Sequence, residues 1–149
     1  MSHNVKITNI KISNLDVVVA AINELNEELG LNWTCEYDTT IRGWAGQQTK
    51  VKMAIKTNKA YDIGFNLNSD GTYSPVYEDF CTYEFNDTIA ADKTAEGIDK
   101  DVNTSGKAIG KLLQRINVIT AECEAAQCGY ATQREYDKET GIMNLLVMN

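Results

Sequence analysis

The sequence predicts an α+β domain in which two amphipathic helices cover one face of an antiparallel sheet. The expected order is β-α-β-β-β-β, an excursion, then α-β-β. Three observations carry this. Apolar residues recur at helical spacing at Leu15, Val18, Val19, Ile22, Leu25 and Leu29. They do so again at Ile109, Leu112, Leu113, Ile116, Ile119 and Cys123. Between these stretches, short runs alternate apolar with polar residues and are separated by turn residues, as half-buried strands are. Consecutive strands after one helix favour a meander over βαβ units, and two one-sided helices need a sheet face to bury against.

Taken in order, Val5, Ile7, Ile10 and Ile12 form an apolar strand whose alternation slips near Thr8-Asn9, as at a bulge or bend. Asn14 caps the first helix, with Asp16 in its first turn where the helix dipole favours negative charge. Gly30 ends it in a left-handed conformation. Trp33, Cys35 and Tyr37 then alternate with Thr34, Glu36 and Asp38. Ile41-Arg42-Gly43-Trp44-Ala45-Gly46-Gln47 reads as a glycine-punctuated connection to a strand with Val51, Met53 and Ile55 on one face. Tyr61, Ile63, Phe65 and Leu67 share the face of the next strand, and Asn68-Ser69-Asp70-Gly71 is a turn. Residues 73–80 return as a strand, where Pro75 favours an edge or irregular position. Residues 86–107 are polar and broken by Gly97 and Gly106, as in a loop or insertion. Gly129 closes the second helix, and a terminal hairpin turns around Asp137-Lys138-Glu139-Thr140-Gly141.

Length and composition narrow the function classes. The 149 residues suit a single domain spanning 1–149, and 43% apolar with 23% charged residues is globular composition. Neither a membrane-spanning run nor the layout of a secretory signal is legible, so the expected compartment is cytoplasmic. A net charge of −7, from 21 acidic and 14 basic residues, argues against nucleic acid or an anionic membrane as partner. Lys50, Lys52 and Lys56 fall on one side of a strand, as a solvated face.

Cys35, Cys81, Cys123 and Cys128 read as small core hydrophobes. Their spacing does not suit zinc, and His3 is the one histidine, so no metal is expected. A catalytic triad needs a positioned imidazole, which a terminal His3 does not supply. No catalytic residue and no cofactor is assigned. Gly106-Lys107-Ala108-Ile109-Gly110-Lys111-Leu112 only superficially suggests a phosphate loop: its glycines are one residue too close, and Leu112 stands where Ser or Thr would hold Mg²⁺.

The segment of chemical interest is Arg42-Gly43-Trp44-Ala45-Gly46-Gln47. A planar cation, a large aromatic and an amide, separated by glycines that permit close backbone approach, could stack on a ring and hold an oxyanion. The alternative is a bulged connection in which Trp44 caps the core and Arg42 pairs a surface carboxylate.

Together with Met1-Ser2-His3 and Tyr61-Asp62-Ile63-Gly64-Phe65, this segment resembles a family of conserved hypothetical proteins of cyanobacteria, chloroplast genomes, some bacteria and phages. In chloroplasts it is the thirty-fifth ycf reading frame. The C-terminal stretch, 112–147, is similar in plan, and 86–107 looks like an insertion relative to shorter members. The family brings no established activity. The resemblance implies a shared site at Arg42, Trp44, Gln47, Tyr61 and Asp62, with a role for the glycines in close strand packing as the competitor.

Three functions follow as expectations. The first is a non-catalytic binding protein, possible as a homo-oligomer, that holds a small anionic or ring-bearing ligand such as a nucleotide. The second is an accessory protein docking a protein partner through a sheet edge or through Tyr73, Tyr77, Phe80, Tyr83 and Phe85. The third, placed last, is an enzyme using carboxylates from Glu78, Asp79 or the excursion.

Overall fold

The structure is a computed structural model, and it describes residues 4–6, 11–78, 84–90, 107–139 and 141–148. The elements are β1 (Asn4–Lys6), α1 (Leu15–Leu29), β2 (Thr34–Arg42), β3 (Gln48–Lys56), β4 (Ile63–Leu67) and β5 (Tyr73–Glu78). They are followed by α2 (Gly110–Gln127), β6 (Ala131–Asp137) and β7 (Ile142–Met148). The strands form an antiparallel five-stranded sheet of order β1-β5-β4-β3-β2 and a separate antiparallel hairpin, β6-β7. The chain is therefore α+β, with both helices on one face of the main sheet.

Local chemistry accounts for α1. Asn14 Oδ1 accepts from the Asp16 N–H at 2.9 Å, satisfying one of the donors that a helix start leaves open. Gly30 adopts φ 67° and its N–H donates to the Asn26 carbonyl, stopping the helix. The main core joins Val18, Ala21, Ile22 and Leu25 of α1 to Leu112, Leu113, Ile116 and Ile119 of α2. Beneath them lie Met53, Ile55, Ile63, Phe65 and Tyr77 of the sheet. Trp33 closes one end: its ring tilts against Phe85 at 5.5 Å, and its indole N–H donates to Asn58 Oδ1 at 2.8 Å.

Several expectations change on contact with the tertiary structure. Val51 and Met53 are two residues apart, yet Met53 joins the main core while Val51 joins a second cluster with Ile41, Ala54 and Val76. Asp38, with φ 49°, breaks the pleat where the ladder passes from Tyr37↔Met53 to Thr39↔Val51. That departure from extended backbone reverses the faces beyond it. Leu67 is 54% exposed and does not share the burial of Ile63 and Phe65. Strand β5 is internal, lying between β1 and β4; Pro75 pairs with Phe65 just beyond Val76, where the described β1 partners end.

The N-terminal strand is limited to Asn4–Lys6; residues 7–10 lie outside the described residues, and buried Ile12 makes a lone bridge to Tyr73. The start of the 86–107 stretch is core: Ile89 is fully buried, and its carbonyl accepts from the Lys111 N–H at 2.8 Å. Residues 91–106 lie outside the described residues. Of the four cysteines expected in the core, Cys35 packs against it and two others do not. Cys35 is half-buried, Cys123 and Cys128 are exposed, and Cys81 lies outside the described residues.

Candidate functional site

Strand β2 runs on through Ile41 and Arg42, so the glycine-punctuated connection expected over 41–47 shortens to a five-residue turn. Arg42 pairs with Gln48 in the ladder, and the Gly43 N–H donates to the Gln47 carbonyl at 2.8 Å. A 3₁₀ turn at Trp44–Gly46 reverses the chain, with Ala45 at φ 56° and Gly46 at φ 78°. Gly43 leaves room for a buried carboxylate: a Cβ there would lie 2.6 Å from Glu78 Oε1, which would have to shift. Gly64 is required by space, since its Cβ would meet Val51 Cγ1 at 2.5 Å and Val51 Cβ at 3.1 Å.

Arg42 and Asp62, twenty residues apart, come together at the root of this turn. The Asp62 carboxylate is fully buried. Its Oδ2 accepts from the Arg42 backbone N–H and from Arg42 Nε, each at 3.0 Å, and its Oδ1 accepts from Arg42 Nη2 at 2.7 Å. This is a two-pronged guanidinium–carboxylate pair, the geometry that separates Arg from Lys. The Thr57 N–H adds a fourth bond to Oδ1 at 3.1 Å, and Lys56 Nζ stands 3.7 Å from Oδ2. Burial pushes the Asp62 carboxyl up, but the bonds from Arg42 and Thr57 outweigh it and hold the group below the ordinary carboxylate range.

Thr57 and Lys56 belong to the cluster although the sequence did not single them out as site residues. The Thr57 carbonyl accepts from Arg42 Nη2 at 2.8 Å, and its hydroxyl donates to the Tyr61 carbonyl at 2.5 Å. Lys56 Nζ also donates to the Thr40 carbonyl. The only sequence signal is a Lys-Thr-Asn strand end, which is too common to notice. Glu78 was noted as a carboxylate, but its place under Gly43 was not legible; it is fully buried.

Of the five expected site residues, the structure brings Arg42 and Asp62 into direct contact. Gln47 is exposed beside them at the end of the turn. Tyr61 packs partly against the main core. Trp44 is placed by its backbone in the turn, and its side chain lies outside the described residues. Half of the competing reading therefore holds: Arg42 does pair a carboxylate, but a buried one. Because Asp62 has no exposed surface, its contribution is to aim the guanidinium. Two cations, Arg42 at 46% and Lys56 at 24% side-chain exposure, share this one carboxylate.

Among the described residues, one concavity of about 530 Å³ is lined by Asp38, Thr40, Lys50, Lys52 and Asn66, and one of about 420 Å³ by Glu24, Glu28, Arg115 and Arg134. Among the described residues, no three His, Cys, Asp or Glu side chains converge as metal ligands, and no helix is long and apolar enough to cross a membrane.

A family model described as a protein of unknown function, DUF1257, matches residues 25–146, and the chain belongs to that family. No curated protein and no solved structure matches it.

Proposed function

We propose that this DUF1257 member is a non-catalytic binding protein that holds a small anionic, ring-bearing ligand, such as a nucleotide, at the turn after β2. The observation that carries the reading is the pair of part-exposed cations at the root of that turn. Arg42 and Lys56 flank the buried Asp62 carboxylate, and both keep exposed surface in a chain whose net charge is −7. In the bound state the outer edge of the Arg42 guanidinium and the Lys56 ammonium hold the oxyanion. Trp44 supplies the stacking ring and Gln47 a polar contact. Asp62 and Thr57 act by fixing Arg42, and Tyr61 anchors the 57–62 segment to the core. The protein works in the cytoplasm, and a phage-type member would use such a site to sequester a signal molecule.

The test is calorimetric titration with nucleoside mono- and triphosphates, with inorganic pyrophosphate as the ring-free comparison. A nucleotide is expected to bind, about tenfold more weakly to Trp44→Ala and to Lys56→Gln, both retaining the wild-type circular dichroism. Heat from none of these probes, together with a bare native mass for protein purified gently from cells, would sink the reading.

Docking to a protein partner is the second reading, and the structure moves its basis. Tyr77 and Phe85 are fully buried and so do not offer a docking face, while Phe80 and Tyr83 lie outside the described residues. The C-terminal segment favours it: among the described residues, six of the nine large exposed apolar side chains fall between 130 and 148.

A further inference from the structure

Strands β3 and β4 separate before either of them ends. Their ladder stops at Met53↔Phe65, although β3 begins at Gln48 and β4 runs on to Leu67. The break in the pleat at Asp38 is the cause: it turns Val51 to the far face, so β3 follows β2 and leaves β4 behind. Asn66 spans the first step of the gap. Its Oδ1 accepts from the Lys52 N–H at 3.1 Å, where a backbone carbonyl would stand in an unbroken ladder.

Beyond that bond the gap is open. It is the concavity of about 530 Å³, lined by 38–40 and 50–52 from the β2–β3 side and by Asn66 and Leu67 from β4. A cleft of this size suits a small molecule rather than a single ion.

Its lining is rich in donors. Lys50 is exposed and makes no ion pair among the described residues, whereas Lys52 Nζ is held by Asp38 at 3.1 Å. Asn66, with its oxygen engaged by the Lys52 N–H, keeps its amide N–H groups to give, and Thr39 adds a hydroxyl. Beside these donors lies apolar surface. Leu67 pairs with Tyr73 of β5, yet with β3 turned away it stays 54% exposed. Donors next to an uncovered aliphatic side chain suit a ligand with an anionic end and an apolar body.

From this we infer that the gap between β3 and β4 binds a small organic carboxylate. Lys50 and the Asn66 amide hold the two carboxylate oxygens, and Leu67 packs against the carbon skeleton. The donors are single and separate, with neither the arginine fork nor the loop of successive backbone N–H groups that grips a phosphate, so a carboxylate is the anion that matches them. The bound molecule bridges β3 and β4 where their own ladder has lapsed. None of Lys50, Asn66 and Leu67 belongs to the Arg42 turn, so this site stands whether or not that turn binds a nucleotide.

Titration followed by amide NMR on the full chain tests this, at constant ionic strength. The probes are benzoate and hexanoate, with acetate lacking the apolar body and benzyl alcohol lacking the charge. Benzoate or hexanoate is expected to give saturable shifts centred on 38–40, 50–52 and 66–67, at concentrations about tenfold below those that acetate or benzyl alcohol requires. Lys50→Gln and Leu67→Ser should each weaken binding about tenfold with unchanged circular dichroism, while Lys138→Gln, which removes the same charge from the terminal hairpin, leaves it intact. Saturable shifts from neither acid overturn the proposal, as do shifts centred on the Arg42 turn instead. So does acetate or benzyl alcohol binding as tightly as benzoate, or binding that survives Lys50→Gln. An equal loss in Lys138→Gln also overturns it, because the charge of the whole chain rather than this cleft would then govern binding.

Discussion

Arg42 and Arg134 each bind carboxylate through two nitrogens, but they stand in regions of opposite character. Arg42 closes on Asp62, which is fully buried at the end of a sheet whose inner strands are packed on both faces. Arg134 bridges Glu24 and Glu122, whose side chains remain 36% and 27% exposed, and it ties down a hairpin with no buried residue. Solvent screens the second arrangement far more than the first. The same pair of side-chain types is thus a structural keystone in the sheet and a weak tether at the hairpin.

The largest effect expected sharpens the contrast in packing. Phe65 is fully buried in the main core, so Phe65→Ala should cost about 4 kcal/mol, a cavity that rigid neighbours cannot refill. Leu146→Ala on the outer side of β7 should cost under about 0.5 kcal/mol in the monomer. Urea unfolding of both variants at low protein concentration checks this, and comparable losses would mean that the hairpin is packed as the sheet is.

Next is the keystone itself. Arg42→Ala leaves the Asp62 carboxylate buried without its main partner and should cost about 3 kcal/mol at neutral pH. In the wild type the folded Asp62 titrates below its unfolded value of about 4, so its stabilisation is present above that pH and fades as acid drives it through the folded value. In the variant, burial pushes the carboxyl up instead, so acid relieves the strain. The stability gap between the two proteins should therefore narrow from pH 7 to pH 4, read as urea midpoints. A gap independent of pH would mean that Asp62 is not the group responsible.

The smallest effect is at the tether. Arg134→Gln should cost about 1 kcal/mol or less in global stability. Its clearer signature is faster amide hydrogen exchange confined to β6 and β7, which added salt should reproduce in part in the wild type. Arg134 also holds the Glu24 carboxyl below its ordinary range, so mild acid should loosen the same segment. Exchange that quickens equally in β3 and β4 would show the hairpin to be integral to the main core.

Legibility followed the range of the forces involved. The first helix could be read to its ends because Asn14, Asp16 and Gly30 act on their own neighbours in the chain. The alternation of Ile63 and Phe65 was equally plain, as was the turn at 68–71, where the Asn68 N–H donates to the Thr72 carbonyl at 2.6 Å. At the candidate site, residue types pointed to Arg42 and Asp62, but their pairing depends on β2 meeting the end of β3 across a turn. Thr57 acts there through its backbone N–H and carbonyl, which every residue has, so composition could not mark it.

By itself the sequence determined the α+β class, the order of its elements, the position of the turn after β2 and the acidity of the surface, because periodicity, caps and charge are local properties. The tertiary structure alone decided the rest. It decided that Asp38 reverses the pleat and sends Val51 to the far face, and that Asp62 is buried against Arg42 instead of facing a ligand. It also decided that the last hairpin is tied to both helices through Arg134, which bridges Glu24 and Glu122. Each of these depends on which surfaces meet across the fold, and that is settled by packing between residues far apart in the chain.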